Sequence, residues 1–325
     1  MEQHILRVEN LSKKFNDFLA VNSLNFSVIK NEIFGFLGPN GAGKTTTINM
    51  LTGLARPTSG SIFINDKDYT ANIKKAQEII GIVPDESNLY EEMDGLENLC
   101  FCASLYGIKK AERIHRAKKL LQQFNLTTAG NKPYKSYSKG MKRKLTLAAG
   151  IIHEPGILFL DEPTTGIDVA SARQIRALIK SLNEAGTTIF MTTHYIEEAE
   201  RLCHRIAFIV NGQIIKIGKI DELMEDAQKD KIIQFSFDGI VQLNQFENNF
   251  NHQFSHCKLT YIQDSVFQIH SAIPLDLMPL ISFFDSHGLK VTEARIIKPS
   301  LEEVFVKITG IERDVMKKEK EGRKK

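Results

Sequence analysis

One stretch of this 325-residue sequence, Gly38-Pro39-Asn40-Gly41-Ala42-Gly43-Lys44-Thr45, matches the pattern G-x-x-x-x-G-K-[ST]. In that pattern the backbone N–H groups of a glycine-rich turn surround phosphate oxygens. The apolar run 33–37 before it is typical of a buried strand, and 46–51 after it of a helix whose positive end faces the anion. The stretch therefore predicts a nucleotide site in which Lys44 reaches the β- and γ-phosphates and the hydroxyl of Thr45 binds Mg²⁺.

Two further apolar runs end in polar residues that suit the same site. Residues 157–160 lead into Asp161 and Glu162, and we expect Asp161 to hold Mg²⁺ through its water shell. Glu162 follows at the end of the strand, where a base can polarise the attacking water. His194 closes another apolar run, and a neutral imidazole there can hydrogen-bond the γ-phosphate and that water. A histidine after a strand is also commonly structural, so its catalytic role depends on the neighbouring phosphate loop.

Taken in this order, the motifs resemble those of an ABC transporter ATPase domain over residues 1 to about 220. Ser138-Lys139-Gly140-Met141 stands where that family has its signature loop. The commonest form of that loop is Ser-Gly-Gly-Gln, so Ser138 and Gly140 match the family while Lys139 and Met141 depart from it. Because a signature loop begins a helix, Ser138 and the N–H groups around Gly140 would form an anion site.

The resemblance adds three more positions. Thr165-Gly166-Ile167-Asp168 is similar to the D-loop, and Asp85 stands where the family usually has a glutamine. A carboxylate at position 85 can join the Mg²⁺ shell or face basic groups of a partner, and the sequence leaves both readings open. Phe15 is the best match for the aromatic residue that stacks on adenine, although Phe18 is a rival and either ring can be plain core.

These observations and the resemblance give one set of predicted site residues. The catalytic residues are Glu162 and His194. The metal-binding residues are Thr45, Asp161 and Asp85. The nucleotide-binding residues are Phe15, Gly38, Pro39, Asn40, Gly41, Ala42, Gly43, Lys44, Thr45, Thr46, Ser138, Gly140 and Asp168.

The family's mechanism implies partners as well as ligands. ATP and Mg²⁺ would be bound between the phosphate loop of one chain and the signature loop of another. This implies a dimer of two copies, or of one copy and a paralogue. The cycle would drive a conformational change in polytopic membrane subunits docked on the helical insert.

The predicted fold class is α/β: a P-loop ABC cassette of mixed sheet, antiparallel β subdomain and helical subdomain, followed by a small α+β domain. Residues 1–220 form the cassette, with the helical subdomain at about 88–153. Residues 221–231 are polar and charged and are predicted to be a linker. The strand and helix order over 232–310 resembles a ferredoxin-like accessory domain. Residues 311–325 are predicted to be a charged tail.

Composition limits the classes of protein that remain. A net charge of +3 and 42% hydrophobic residues suit a globular protein and disfavour a nucleic-acid arm, so no nucleic acid is expected as a partner. The four cysteines show no metal-binding spacing, and with no apolar leader they favour a reducing cytosol. No apolar run is long enough to cross a bilayer. We therefore expect a peripheral protein at the cytoplasmic face of the membrane.

Three other classes of protein fit parts of the pattern. The first is a soluble ABC protein acting on nucleic acid or ribosomes, which usually carries two cassettes or a long coiled coil. The second is a small P-loop kinase or GTPase, which the resemblance to the signature and D-loops argues against. The third is a regulatory cassette that binds ATP with little turnover. The presence of Glu162 and His194 disfavours it, while Asp85 and Lys139 leave it open. The last stretch, Pro299 to Phe305, is similar to the end of exporter-type ATPase subunits and favours export.

Overall fold

A computed structural model describes residues 3–227, 231–238, 247–263, 265–297 and 300–311. The chain divides into two compact units, of which the first is Met1–Ile220 with Ile308–Lys325 and the second is Asp221–Lys307. The predicted tail falls almost entirely on 312–325, outside the described residues. No helix in the described ranges has the length and apolarity needed to span a bilayer.

The first unit is built on two sheets. The strands, in chain order, are β1 (His4–Phe15), β2 (Phe18–Ile29), β3 (Ile33–Leu37), β4 (Ser59–Ile64), β5 (Lys67–Asp68), β6 (Ile80–Val83), β7 (Ile157–Asp161), β8 (Thr188–Thr193), β9 (Arg205–Val210) and β10 (Gln213–Lys219). An antiparallel sheet has the order β2-β1-β4-β5, and a mixed sheet the order β10-β9-β3-β8-β7-β6. The expected α/β class with an antiparallel β subdomain is confirmed.

The mixed sheet explains why the predicted motifs meet. Strands β9, β3, β8, β7 and β6 pair in parallel, while β10 pairs antiparallel with β9. The carboxyl ends of parallel strands lie at one edge of a sheet, where open α/β folds bind ligands. The phosphate loop follows β3, Asp161 ends β7, His194 follows β8 and Asp85 lies just beyond β6. All four therefore reach the same edge.

The core lies between the two sheets. Phe26 of the antiparallel sheet stacks on Phe34 of β3 at a ring-centroid distance of 5.8 Å, and Phe190 lies 5.9 Å from the same ring of Phe26. Phe34 and Phe190 are fully buried. Strand β3 is buried at every position, as its continuous apolar run predicts for a strand covered on both faces. This packing fixes the start of the phosphate loop.

The first unit also contains α-helices. They are α1 (Lys44–Leu51), α2 (Gly95–Leu105), α3 (Lys110–Gln123), α4 (Lys139–Ile151), α5 (Val169–Glu184) and α6 (Ile196–Leu202). Helices α2, α3 and α4 lie in the chain between β6 and β7, in the interval predicted to be helical. Helix α2 begins with a capping box in which Asp94 and Glu97 satisfy each other's backbone N–H groups.

The predicted linker 221–231 is largely helical, which corrects that interpretation. Helix α7 spans Ile220–Ala227. Ile220, Leu223 and Met224 recur at helical spacing between acidic residues, and Leu223 is only 1% exposed. The charged composition suggested a linker, whereas the spacing of these apolar residues is typical of an amphipathic helix.

The second unit contains an antiparallel sheet and helices. Its elements after α7 are β11 (Lys231–Phe237), α8 (Glu247–Gln253), β12 (Cys257–Gln263), β13 (Val266–Ser271), α9 (Leu277–Ser286), β14 (Val291–Ile297) and α10 (Leu301–Thr309). The sheet order is β12-β13-β11-β14, which places the first and third strands in the centre, as in a ferredoxin-like unit. The sequence predicts a helix over 241–250 in this domain, and residues 241–246 of it lie outside the described residues.

The hydrophobic core formed by this sheet and its helices is rich in aromatic side chains. Phe250, Phe267 and Phe284 are fully buried, and Phe284 lies 5.1 Å from the ring of Phe235. Helix α10 begins with a capping box between Ser300 and Glu303. It contains most of the stretch that resembles the end of exporter-type subunits, although Pro299 lies outside the described residues.

Candidate active site

The phosphate loop closes tightly where its glycines are. A Cβ on Gly38 would lie 2.1 Å from the carbonyl oxygen of Ile209, so no side chain fits there. Gly43 has φ of 99° and a Cβ there would meet the Ala20 oxygen at 2.7 Å. Only glycine adopts that backbone readily. These two positions bring the loop against β2 and β9.

Helix α1 begins directly at this surface without a side-chain cap. Gly43 is its N-cap, and its first turn contains no acidic residue. The first N–H groups of the helix therefore face the loop, where the helix dipole favours an anion. The Lys44 ammonium is 5% exposed and donates hydrogen bonds to Gly38 O at 2.9 Å and Pro39 O at 3.1 Å. The charge is thus held over the mouth of the loop.

Glu162 contacts two other predicted functional side chains, Lys44 and His194. Its Oε1 lies 3.3 Å from Lys44 Nζ, and its Oε2 lies 2.7 Å from His194 Nδ1. Thr165 Oγ1 donates to the same Oε2 at 3.0 Å. Burial alone raises the pKa of the Glu162 carboxyl, but the hydrogen bond from His194 and the charge of Lys44 outweigh it and lower the pKa. The side chain is consequently a carboxylate at neutral pH.

The backbone of Glu162 is strained. Its φ of 49° lies in the left-handed region, which costs a non-glycine residue roughly 1–3 kcal/mol. Glu162 N donates to Thr192 O at 3.2 Å and its own oxygen accepts from Thr165 N at 3.2 Å. Such strain is retained where surrounding contacts over-determine it, and here it aims the carboxylate back at Lys44 and His194.

His194 has a defined role toward Glu162. A carboxylate only accepts hydrogen bonds, so Nδ1 carries the proton in this contact. The Nε2 of a neutral ring is then an acceptor, and donation from Nε2 to a phosphate oxygen requires the imidazolium. The structure thus brings His194 to Glu162, and the predicted bond to the γ-phosphate stays a prediction.

The metal-binding prediction concerns the side chains of Thr45, Asp161 and Asp85. Thr192 Oγ1 donates to Asp161 Oδ1 at 2.5 Å, which orients that carboxylate, and Thr45 is exposed on the first turn of α1. No three His, Cys, Asp or Glu side chains within the described ranges form a metal cluster. This donor set suits Mg²⁺, which is typically held by one or two carboxylates together with substrate phosphates.

Asp85 lies beside a guanidinium. Its Oδ1 is 3.9 Å from Arg143 Nη2, and its side chain is 46% exposed. Burial raises the pKa of Asp85, Arg143 counteracts this, and the charges of Asp161 and Glu162 raise the pKa further. The structure therefore adds an intramolecular partner for Asp85 to the two readings that the sequence leaves open.

Ser138, Gly140 and Asp168 form a second cluster. Ser138 caps α4 by accepting from Met141 N, and Asp168 caps α5 by accepting from Ser171 N at 2.9 Å. A Cβ on Gly140 would meet Ser171 Oγ at 2.3 Å, so the two helix starts lie side by side. Among the described residues, the hydrogen bonds of Ser138 and Asp168 do not reach the phosphate loop. Both capping residues are exposed, so that a second chain can reach them.

The predicted adenine contact lies at the tip of the β1–β2 hairpin. Phe15 pairs with Phe18 across the hairpin end, and the rings are 49% and 66% exposed. Neither ring belongs to the core. Ala20, two residues further along β2, touches the phosphate loop at Gly43. The hairpin therefore presents two exposed rings close to the loop. The structure does not show whether Phe15 or Phe18 would stack on adenine.

Sequence reasoning missed three residues that organise this site. Thr192 orients Asp161, and the buried Glu198 accepts from Thr164 Oγ1 at 2.6 Å and Thr193 Oγ1 at 2.8 Å. Arg143 is 7% exposed on α4. One signal was available for it: Arg143 stands in the buried stripe of α4, at a position where an apolar residue is expected. A charge in such a stripe indicates a buried polar partner.

The fold and the site define a P-loop ATPase with a separate helical insert. A family model described as ABC transporter matches residues 21–165. The chain is 35% identical over 314 residues to the linearmycin resistance ATP-binding protein LnrL of Bacillus subtilis (strain 168), covering 94% of this chain and 98% of that protein. It is 33% identical over 320 residues to the daunorubicin resistance ATP-binding protein DrrA3 of Streptomyces coeruleorubidus, covering 97% and 99%.

A solved dimeric ATP-binding cassette in a post-hydrolysis state, bound to ADP and Pi, is similar in structure. It aligns with a TM-score of 0.61 and 26% identity, covering 66% of this chain and 98% of that one. The chain therefore belongs to the ATP-binding subunits of ABC transporters. It is an ATPase that drives transmembrane transport, and the resemblance stated from the motifs is confirmed. The kinase or GTPase reading is wrong, and the nucleic-acid and regulatory readings are not favoured.

Proposed function

We propose that this chain powers the export of a toxic organic compound through separate polytopic membrane subunits. The observation that carries the ATPase half is the contact of one carboxylate, Glu162, with both Lys44 and His194. Export is supported by relatives whose names refer to resistance against linearmycin and daunorubicin and which the chain matches over nearly its whole length. The proposed location is the cytoplasmic face of the membrane.

In this proposal the residues divide the chemistry between them. The phosphate loop and the start of α1 bind the phosphates of ATP, and Lys44 shifts from Glu162 toward the β- and γ-phosphates when ATP enters. Glu162, an ionised carboxylate, accepts a proton from the attacking water, and His194 holds it in place. The products are ADP and phosphate.

Mg²⁺ fits the oxygen donors of Thr45 and Asp161. When bound, it would neutralise charge on the β- and γ-phosphates. Asp161 is held for this task by the hydroxyl of Thr192.

The exposed caps of α4 and α5 favour a dimer of this chain. We propose that Ser138, Gly140 and Asp168 complete the nucleotide site of a partner copy, because Ser138 and Asp168 cap their own helices and, among the described residues, make no hydrogen bond to the phosphate loop.

Purification of the tagged chain from membranes, with the Glu162→Gln variant to retain ATP, tests the transport half. The expected result is recovery of a polytopic membrane protein in comparable amount. Recovery with ribosomes or nucleic acid instead would favour the soluble alternative. Purified chain without the membrane protein should still release phosphate from ATP. The ATPase activity and the transport role are therefore tested separately.

The second unit is proposed to be an accessory domain that affects contacts between subunits. Removing everything after Ala227 takes away most of the second unit and also Ile308–Lys325, which is grouped with the first. ATP affinity should still stay unchanged, within about twofold, because every predicted nucleotide residue precedes Asp221. Fluorescent-nucleotide titration of the shortened and full chains measures this. Circular dichroism establishes that the shortened chain is folded, and loss of ATP binding in a folded chain would contradict the proposal.

A further inference from the structure

We propose that Arg143 is a positioning residue for hydrolysis, which clamps the backbone around Glu162 to α4 and to the loop that carries Asp85. The inference rests on the proposed role of Glu162 as the base. It assigns to one side chain the task of keeping that base in place and of linking it to the loop at Pro84 and Asp85.

The first half of the clamp holds the end of β7. Arg143 Nε donates to Pro163 O at 2.7 Å, and Nη2 donates to Asp161 O at 3.0 Å and also to Glu162 O. Three successive carbonyl groups are therefore bound by one guanidinium. The middle one belongs to Glu162, whose left-handed backbone needs such support.

The second half of the clamp reaches the loop after β6. Arg143 Nη1 donates to Pro84 O at 2.5 Å and to Asp85 O at 3.0 Å. The Asp85 carboxylate adds a longer ionic contact at 3.9 Å. Because Asp85 is half-exposed, this loop is the part of the clamp that another molecule can touch. A displacement there reaches Glu162 through a single side chain.

The Arg143 side chain that forms this clamp is buried. Arg143 is 7% exposed, and burial lowers the pKa of its guanidinium, while Asp85 and Asp161 act in the opposite direction. The planar fork of arginine serves these separated acceptors at once, whereas the ammonium of a lysine is a compact charge with three donors. Lysine at position 143 keeps the charge and loses the fork. It therefore tests geometry separately from charge.

The test compares Arg143→Lys with Arg116→Lys. Arg116 lies on α3 and also donates to a backbone carbonyl, that of Ile152, but it contacts none of the predicted site residues. We expect Arg143→Lys to lower kcat about 10²-fold, a typical cost of misplacing a catalytic group by ~1 Å. The KM and the Kd for ATP should stay within about threefold, because the phosphate loop is untouched. Arg116→Lys should leave kcat and KM unchanged.

Two outcomes would overturn the inference. One is an unchanged kcat in folded Arg143→Lys, with folding established by its thermal midpoint. The other is a parallel loss of kcat and ATP affinity, which indicates general structural damage.

Asp85→Asn gives a second, independent measurement, and it remains usable if Arg143→Lys fails to fold. It should lower kcat by a few-fold in the isolated chain without changing the Mg²⁺ concentration for half-maximal activity. In the Arg143→Lys background it should have no further effect, since contacting residues that act together are non-additive. A shifted Mg²⁺ requirement would assign Asp85 to the metal shell, and unchanged activity would remove the Asp85 side chain from the clamp. Either result contradicts the role proposed for Asp85 within the clamp.

Discussion

Replacing Lys44 with alanine is expected to abolish tight ATP binding. The Lys44 ammonium is held over the phosphate loop by two backbone carbonyls and faces the Glu162 carboxylate at 3.3 Å. Without it, the β- and γ-phosphates would lose their main cation and would lie near an uncompensated carboxylate. Removing one partner of a buried, hydrogen-bonded charge contact typically costs about 2–5 kcal/mol in binding, which is roughly 30- to 5,000-fold in affinity.

Fluorescent-nucleotide titration measures this effect directly. Lys118→Ala is the matched control, because Lys118 is exposed on α3, away from the phosphate loop. The control should bind ATP as the unchanged chain does. If Lys44→Ala also keeps its affinity, this loop is not the nucleotide site.

Glu162→Gln should have the second largest effect, and it should act on turnover rather than on binding. The amide keeps the size of the side chain but cannot serve as a base, and positioned general bases typically contribute about 10²- to 10⁴-fold to rate. ATP binding should survive because Lys44 and the loop backbone are unchanged. Unhydrolysed ATP should then hold two chains together.

The measurements are steady-state phosphate release and gel filtration with ATP and Mg²⁺. Glu184→Gln, at the exposed end of α5, is the matched control and should behave as the unchanged chain. A Glu162→Gln chain that stays monomeric and still turns over ATP at the original rate would exclude Glu162 as the base.

The strands and the helix around the phosphate loop could be predicted from local sequence patterns. The phosphate-loop motif predicted β3 and the helix after it, and the apolar run 157–160 predicted β7 to within a residue. The apolar run that His194 closes corresponds to β8. Such runs identify buried parallel strands because both of their faces are covered. The convergence of Lys44, Glu162 and His194 followed from strands ending at one edge.

What the sequence did not predict depends on distant partners. The five backbone acceptors of Arg143 lie between 18 and 59 residues away in the chain. The left-handed backbone of Glu162 is likewise held by contacts across strands. No local pattern encodes such contacts. The apolar residues of α7 do have helical spacing, but the charged residues between them led to the prediction of a linker.

The measurement that tests the account most directly mixes two inactive variants, Lys44→Ala and Ser138→Arg. In a mixed dimer, one site has both defects, whereas the other combines an intact Lys44 with an intact Ser138. Random pairing makes half of the dimers mixed, so the mixture should recover up to about a quarter of the original ATPase rate. If both variants bind as dimers and the mixture is no more active than the sum of its parts, the site is not shared between two chains and the account is wrong.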